Sequence, residues 1–383
     1  MSVTAAQGFE AAGIAAGLKS KGGLDVALVV NRGPLQHAAA VFTSNRAKAN
    51  PIIWSEQVIA DGMVSAIVLN SGGANCFTGA EGFQTTHSTA ERVAGALKVS
   101  GADILVCSTG LIGDQLDRAK LVAGVDTAVA ALTTEGGDDA SLAIMTTDSR
   151  PKRSVRSGAG WSIGGMAKGA GMLAPGLATM LVVITTDAIL EPAQLNTALR
   201  ASTRVSFDRL DSDGCMSTND QVTLMASGAS GVMPTVEDFT ALLTEVCLDL
   251  ATQLQGDAEG ASHDIHIQVT GAATEDDAVT VGRSVARNNL FKAAAFGNDP
   301  NWGRVLAAIG TTDAAFDPYN VDVSMNGVRL CHAGGPDRPR DDVDLSPRAM
   351  HVVIELNAGD AAATILTNDL THDYVHENSA YSS

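Results

Sequence analysis

Short apolar runs set apart by Gly, Asn, Ser and Asp constrain this chain more than any other feature. Nine of them read as strands: 26–30, 39–42, 66–70, 104–107, 180–185, 222–225, 265–270, 321–325 and 351–356. In one, Ile265, Ile267 and Val269 alternate with His266 and Gln268, which predicts a strand with one buried face. Helical spacing appears between several of the runs. Leu121, Val125, Ala128, Val129 and Leu132 share one helical face, as do Phe239, Leu242, Leu243, Val246, Cys247, Leu250 and Leu254, with Thr235 and Asp238 placed to cap the latter helix. Glu191-Pro192 predicts another helix start, and the stretch 283–296 reads as one more helix. The strands do not alternate strictly with helices, so the expected class is α/β or α+β, with mixed sheets and helices outside.

Composition supports a large, finely packed core. Across 383 residues, 45% are hydrophobic, 18% are charged and only 4% are aromatic, with 39 glycines. Small side chains and close backbone contacts follow. Two stretches read as loops, 136–139 and 331–346, and the polar tail 373–383 reads as a frayed terminus.

A formal charge of −18 repels phosphate and anionic lipid, which argues against nucleic-acid and membrane-surface partners. The five cysteines are widely spaced and never in a CxxC pair, so they read as reduced thiols of a cytoplasmic protein, with neither a disulfide framework nor a zinc site. The N-terminal MSVTAAQGFEAAG has neither the basic nor the apolar region of a secretory signal, and no segment approaches the roughly 20 apolar residues of a membrane span.

One junction carries unusual chemical potential. In GGMAKGAGMLAPGLATMLVVI (164–184), a Gly-rich segment runs into an apolar strand, with Ala178-Thr179 at the join. A Thr hydroxyl is a weak nucleophile and needs a base. Cleavage of the Ala178–Thr179 bond would leave Thr179 with a free α-amine, titrating near about 7.7–8, tethered to the hydroxyl it activates. The hydroxyl can make that cut itself by attacking the Ala178 carbonyl, an N-to-O acyl shift followed by hydrolysis. A structural core Thr is the plainer reading of the dipeptide alone. After the 104–107 strand, STGLIG (108–113) forms a small polar turn able to aim a backbone N–H and a hydroxyl at a developing oxyanion, or an ordinary strand-end turn.

These motifs resemble those of the ornithine acetyltransferase family of arginine biosynthesis. The similarity runs in order along the chain: VFTSNRAKANP (41–51), NSGGANCFTG (70–79), STGLIG, AIMTTDSRPK (143–152), MAKGAGMLAPGLATMLVVITTDA, GDAEGA (256–261), QVTGA (268–272), GNDPNWGRVLAAIG (297–310) and the ending ENSAYSS. The resemblance implies an αββα-type sandwich of the self-processing aminopeptidase kind. It implies a precursor cut into an α chain (1–178) and a β chain (179–383), both building one site, commonly two of each in the assembly. The implied reaction moves acetyl from N2-acetyl-L-ornithine to L-glutamate without a cofactor or metal, and many members also take acetyl-CoA as donor.

Carried over by position, Thr179 is the nucleophile, Thr109 and Gly110 form the oxyanion hole, and Thr146, Lys168, Glu259, Asn378 and Ser383 contact substrate, with Thr147 the neighbour of Thr146. The family's EGA motif is usually followed closely by a basic residue, where this chain has His263. Gly176 stands where Asn, Ser or Asp is common, and Ser383 where Thr is common. Two rival readings stay open: an aminopeptidase or amidase on the same scaffold, and an uncleaved relative that only binds ligand. Asp208, Asp211 and Asp213 lack the spacing of a calcium loop, and His263 and His266 are expected on opposite faces of a strand, unsuited to sharing a metal.

Overall fold

The computed structural model describes residues 2–174 and 180–380. Three sheets organise them. The first runs β1 (Phe9–Ile14), β2 (Val26–Asn31), β4 (Ala66–Asn70), β5 (Ile104–Ser108), antiparallel except for the parallel β4–β5 pair. The second runs β3 (His37–Phe42), β9 (Gln221–Ala226), β8 (Leu181–Thr186), β7 (Ser162–Lys168), β6 (Lys152–Ser157), with β8 and β9 parallel.

These two sheets stack face to face. Side chains of β8 divide by period 2. Leu181 and Val183 join Ile67, Leu69, Leu105 and Met225 between the sheets, whereas Val182 and Ile184 turn outward to a separate cluster with Leu195, Leu199, Phe239 and Leu250. Helices α5 (Pro192–Val205) and α6 (Val236–Gln255) supply that outer cover, and α2 (Gly79–Leu97) and α3 (Arg118–Ala130) cover the far side of the first sheet. The order of layers is α-β-β-α. Helix α1 (Asn50–Val58) packs on β5 and α2, and α4 (Gly137–Ala143) on β1 and β7. Burial on both faces explains why β2, β4, β8 and β9 read as continuous apolar runs; each fully buried Val, Leu or Ile contributes about 1.5–3 kcal/mol.

A third sheet runs β13 (Gly335–Pro336), β12 (Val328–His332), β11 (Asp322–Met325), β14 (Ala349–Glu355), β10 (Asp264–Ala272), β15 (Ala361–Asn368). Helices α7 (Glu275–Ala286), α8 (Asn289–Phe296) and α9 (Trp302–Ile309) close one face over Ile265, Ile267, Val269, Val352 and Ile354. The other face keeps His266 and His351 half-buried or exposed, their rings 5.2 Å apart, as the alternation in 265–270 requires. The chain then returns to the sandwich and ends in α10 (His372–Ala380).

Several expectations change. The stretch 283–296 is two helices, because the Asn288 side chain accepts the Phe291 N–H and starts a new helix. Residues 136–139 lead into α4 rather than a loop, and the tail is helical through Ala380. Strand β7 was not among the expected strands, its apolar pattern being interrupted by Gly164-Gly165. A side chain at 164 would place its Cβ 2.1 Å from the Ser2 carbonyl oxygen, so the close approach of the N-terminal segment explains the glycine. The helix starts at Thr235 and Pro192 lie where the sequence puts them.

Candidate active site

The ends of four strands converge. Register places Lys168, the last residue of β7, opposite Leu181, and Leu181 opposite Gln221 at the start of β9. Beyond β5, Thr109 gives its own N–H to Asn70 O, 3.0 Å, and its hydroxyl accepts from Lys168 Nζ at 3.2 Å. The Thr109 backbone donor is thus already used, which leaves its hydroxyl and the Gly110 N–H as the groups for an oxyanion. Gly110 has φ 128°, and a Cβ there would lie 2.9 Å from Gly73 N, so no other residue fits the turn.

The described parts of the connection from β7 to β8 are held by hydrogen bonds on both sides. Gly169 N–H donates to Asp148 Oδ1 (2.7 Å), Glu259 N–H to Ala170 O (3.0 Å), Met172 N–H to Asp213 Oδ2 (2.8 Å) and Met180 N–H to Asp220 Oδ1 (3.0 Å). Ala178 and Thr179, and likewise Ser383, lie outside the described residues.

Charge is concentrated beneath this connection. Lys152 is fully buried and bridges Asp148 and Asp257 at 2.5 Å each. Burial pushes the Lys168 ammonium down from its ordinary value, against the pull of Asp148, with Lys152 adding to the fall and Asp220 and Glu259 opposing it. Burial alone would raise Asp148, but Lys168, Lys152 and the Gly169 N–H hold it below the usual carboxylate range. Asp220 goes the other way: burial lifts it well above that range, and the Met180 N–H, the Ser217 hydroxyl and Lys168 offset this only in part.

Glu259 Oε2 accepts from Asn378 Nδ2 at 3.0 Å, so the tail folds back onto the EGA motif instead of fraying. Glu259 borders two cavities. One, of 510 Å³, is lined also by Thr147, Thr371, Asp373 and Glu377; the other, of 250 Å³, by Asp213, Lys292 and Tyr374. Thr147, not Thr146, lines the larger one, while the Thr146 main chain is fixed by Asp148 Oδ2, 3.0 Å from its N–H. Gly260 sits at φ 61°, and a Cβ there would come within 2.2 Å of Tyr374 N. Gly260→Ala should therefore lift α10 and cost about 1–3 kcal/mol, read as a lower melting temperature and faster amide exchange in 372–380; unchanged exchange there would refute the contact.

Sequence reasoning placed 207–220 in a loop near the site but gave no role to its last four residues, Ser-Thr-Asn-Asp, which precede an apolar strand. Asn219 Nδ2 donates to Ala74 O (2.6 Å) and Ser108 O (2.8 Å), which ties the Thr109 turn to Asp220. The only hint was a run of four polar residues directly before a strand that proves fully buried. His263 is buried, one ring nitrogen 2.8 Å from Asp369 Oδ2 and the other 2.9 Å from Leu345 O, so it braces the β10–β15 end and occupies no surface position. Asp211 pairs with Arg287, and Asp213 holds Met172. Among the described residues no group of three or more His, Cys, Asp or Glu is placed to hold a metal, and no helix is long and apolar enough to cross a membrane.

The ArgJ family model matches residues 10–383. The chain belongs to the ArgJ family. With that membership it is an acyltransferase of arginine biosynthesis. The arginine biosynthesis bifunctional protein ArgJ of Streptomyces avermitilis is 63% identical over 383 residues, and that of Thermobifida fusca 61%, each alignment covering both chains completely. Among solved structures, the ornithine acetyltransferase of Mycobacterium tuberculosis complexed with ornithine is 50% identical over 47% of this chain and 96% of that one, with a TM-score of 0.45. The Bacillus halodurans arginine biosynthesis bifunctional protein ArgJ is 31% identical, over 51% and 97%, with a TM-score of 0.49.

Proposed function

We propose that this ArgJ-family chain transfers acetyl from N2-acetyl-L-ornithine to L-glutamate through an acetyl ester on Thr179, after cleaving its own Ala178–Thr179 bond. One observation carries the reading: strand register sets Lys168 against Leu181, two residues past Thr179, while the Lys168 ammonium reaches the Thr109 hydroxyl.

In the cycle, the Thr179 α-amine takes the hydroxyl proton as Oγ attacks the acetyl carbonyl. The oxyanion is met by the Thr109 hydroxyl and the Gly110 N–H, and ornithine departs with its amine reprotonated. The free amine of glutamate then attacks the ester and regenerates the Thr179 hydroxyl. Both amino acids share one head group, so one pocket serves them in turn. Lys168 suits their carboxylates and Glu259 their ammonium groups. Thr146 or its neighbour Thr147, Asn378 and Ser383 complete the contacts. No metal or cofactor enters these steps. The word bifunctional in the relatives' names supports acetyl-CoA as a second donor. The functional unit is two α and two β chains in the cytoplasm.

Acetylornithine supplied with and without glutamate tests the transfer. Ornithine release should depend on glutamate, whereas equal release in its absence means that water is the acceptor and favours the amidase reading. Deleting 378–383 should abolish transfer or divert acetyl to water; unimpaired transfer removes the tail from the site.

A further inference from the structure

The first cut has a difficulty that the later cycle lacks. Before cleavage the Thr179 nitrogen is an amide and cannot accept the hydroxyl proton. Some other group must take that proton, and the departing nitrogen must receive one.

Two fully buried groups, Asp220 and Lys168, sit against the start of the strand that follows the bond. Asp220 Oδ1 lies 3.0 Å from Met180 N, and its Oδ2 has no hydrogen-bond partner among the described residues. Only three covalent bonds separate Met180 N from Thr179 N, roughly 3–4 Å. Asp220 therefore reaches the neighbourhood of the scissile nitrogen with a spare oxygen. Lys168, across the ladder from Leu181, reaches Thr109.

We propose that Lys168 and Asp220 are the base and acid of self-cleavage, Lys168 taking the proton of Thr179 Oγ and Asp220 protonating Thr179 N. This rests on the cleavage reading above. As the Oγ–carbonyl bond of residue 178 forms and the C–N bond breaks, one proton passes to Lys168 Nζ and one leaves Asp220. The products are an ester, a free α-amine, a lysine ammonium and an aspartate. Water then hydrolyses the ester, and the charged pair remains, with Lys168 as the ammonium that meets substrate carboxylates in the later cycle. Once the amine exists the cycle no longer needs the pair as catalysts, and Asp220 stays to hold the main chain.

The burial effects fit these roles, favouring a neutral lysine and a protonated aspartic acid before the cut. The charged and titratable groups facing Lys168 are Asp148, Lys152, Asp220 and Glu259; those facing Asp220 are Lys168 and the Ser217 hydroxyl.

The test is a pulse-chase of freshly translated full-length chain from pH 5.5 to 9, following the band split on denaturing gels. Wild type should show a rate that rises as Lys168 loses its proton and falls as Asp220 loses its own. Asp220→Asn should slow the split by about 10²–10⁴-fold and abolish the falling limb. Asp220→Glu should restore cutting with a displaced limb, and it carries the test if the Asn variant does not fold or does not cut at all. An Asn variant that splits at the wild-type rate, one that is slow but keeps the falling limb, or a folded Glu variant that fails to rescue overturns the proposal. Wild type that never splits at 178–179 overturns the cleavage reading itself, a separate result.

Discussion

Thr179→Ala is expected to leave one band at 39.2 kDa where the wild type gives two, and to lower acetyl transfer by on the order of 10⁴-fold or more. Both losses have one cause. In the proposed cycle the hydroxyl is the nucleophile of both the cut and the transfer, and the cut creates the amine that serves as its base. Thr179→Ser keeps a hydroxyl and should split at the same bond, more slowly. N-terminal sequencing of the mature wild type should return Thr-Met-Leu beside the original N-terminus. A Thr179→Ala chain that still splits there, or transfers acetyl at the wild-type rate, ends the account.

The second large effect is one of stability. Asp148 and Lys152 form an ion pair with both side chains fully buried. Asp148 also takes the N–H groups of Gly169 and Thr146. Asp148→Asn keeps the shape and removes the charge, leaving Lys152 to Asp257 alone and Lys168 without its main counter-charge. Breaking a buried pair from one side costs about 3–5 kcal/mol. The sign with pH follows from the depressed carboxyl. A folded-state value below the unfolded one, about 3.9, gives stability that is fully present above that value and lost as pH falls through the lower one. Melting temperatures of the two proteins should differ most at neutral pH and converge as the pH falls below the ordinary carboxylate range. Equal melting at pH 7, or a gap that widens in acid, would show that the charge does not carry the stability.

The same residues show why the site was only partly legible. Thr109, Lys168 and Glu259 could be singled out because their motifs are local strings. Asp148 stood inside such a string, AIMTTDSRPK, yet its importance comes from Lys152 and from Gly169, which lies 21 positions away. Asp220 was harder to single out. Only the polar run 217–220 hints at it, and its place beside Met180 exists because β9 lies parallel to β8 in one particular register. The tail gave two readings: its polarity suggested fraying, whereas the resemblance put Asn378 at the site, and Gly260 lets the α10 backbone approach closely enough for Asn378 to reach Glu259.

Local order was written in the letters. Apolar runs buried on both faces became strands, and Thr235 and Pro192 began helices, because side-chain periodicity and capping act within a few residues. Layer order, strand register and the burial that shifts Lys168 down and Asp220 up were decided only by the folded chain. Those properties depend on which distant groups share a volume that water cannot enter, and no neighbouring residue in the sequence carries that information.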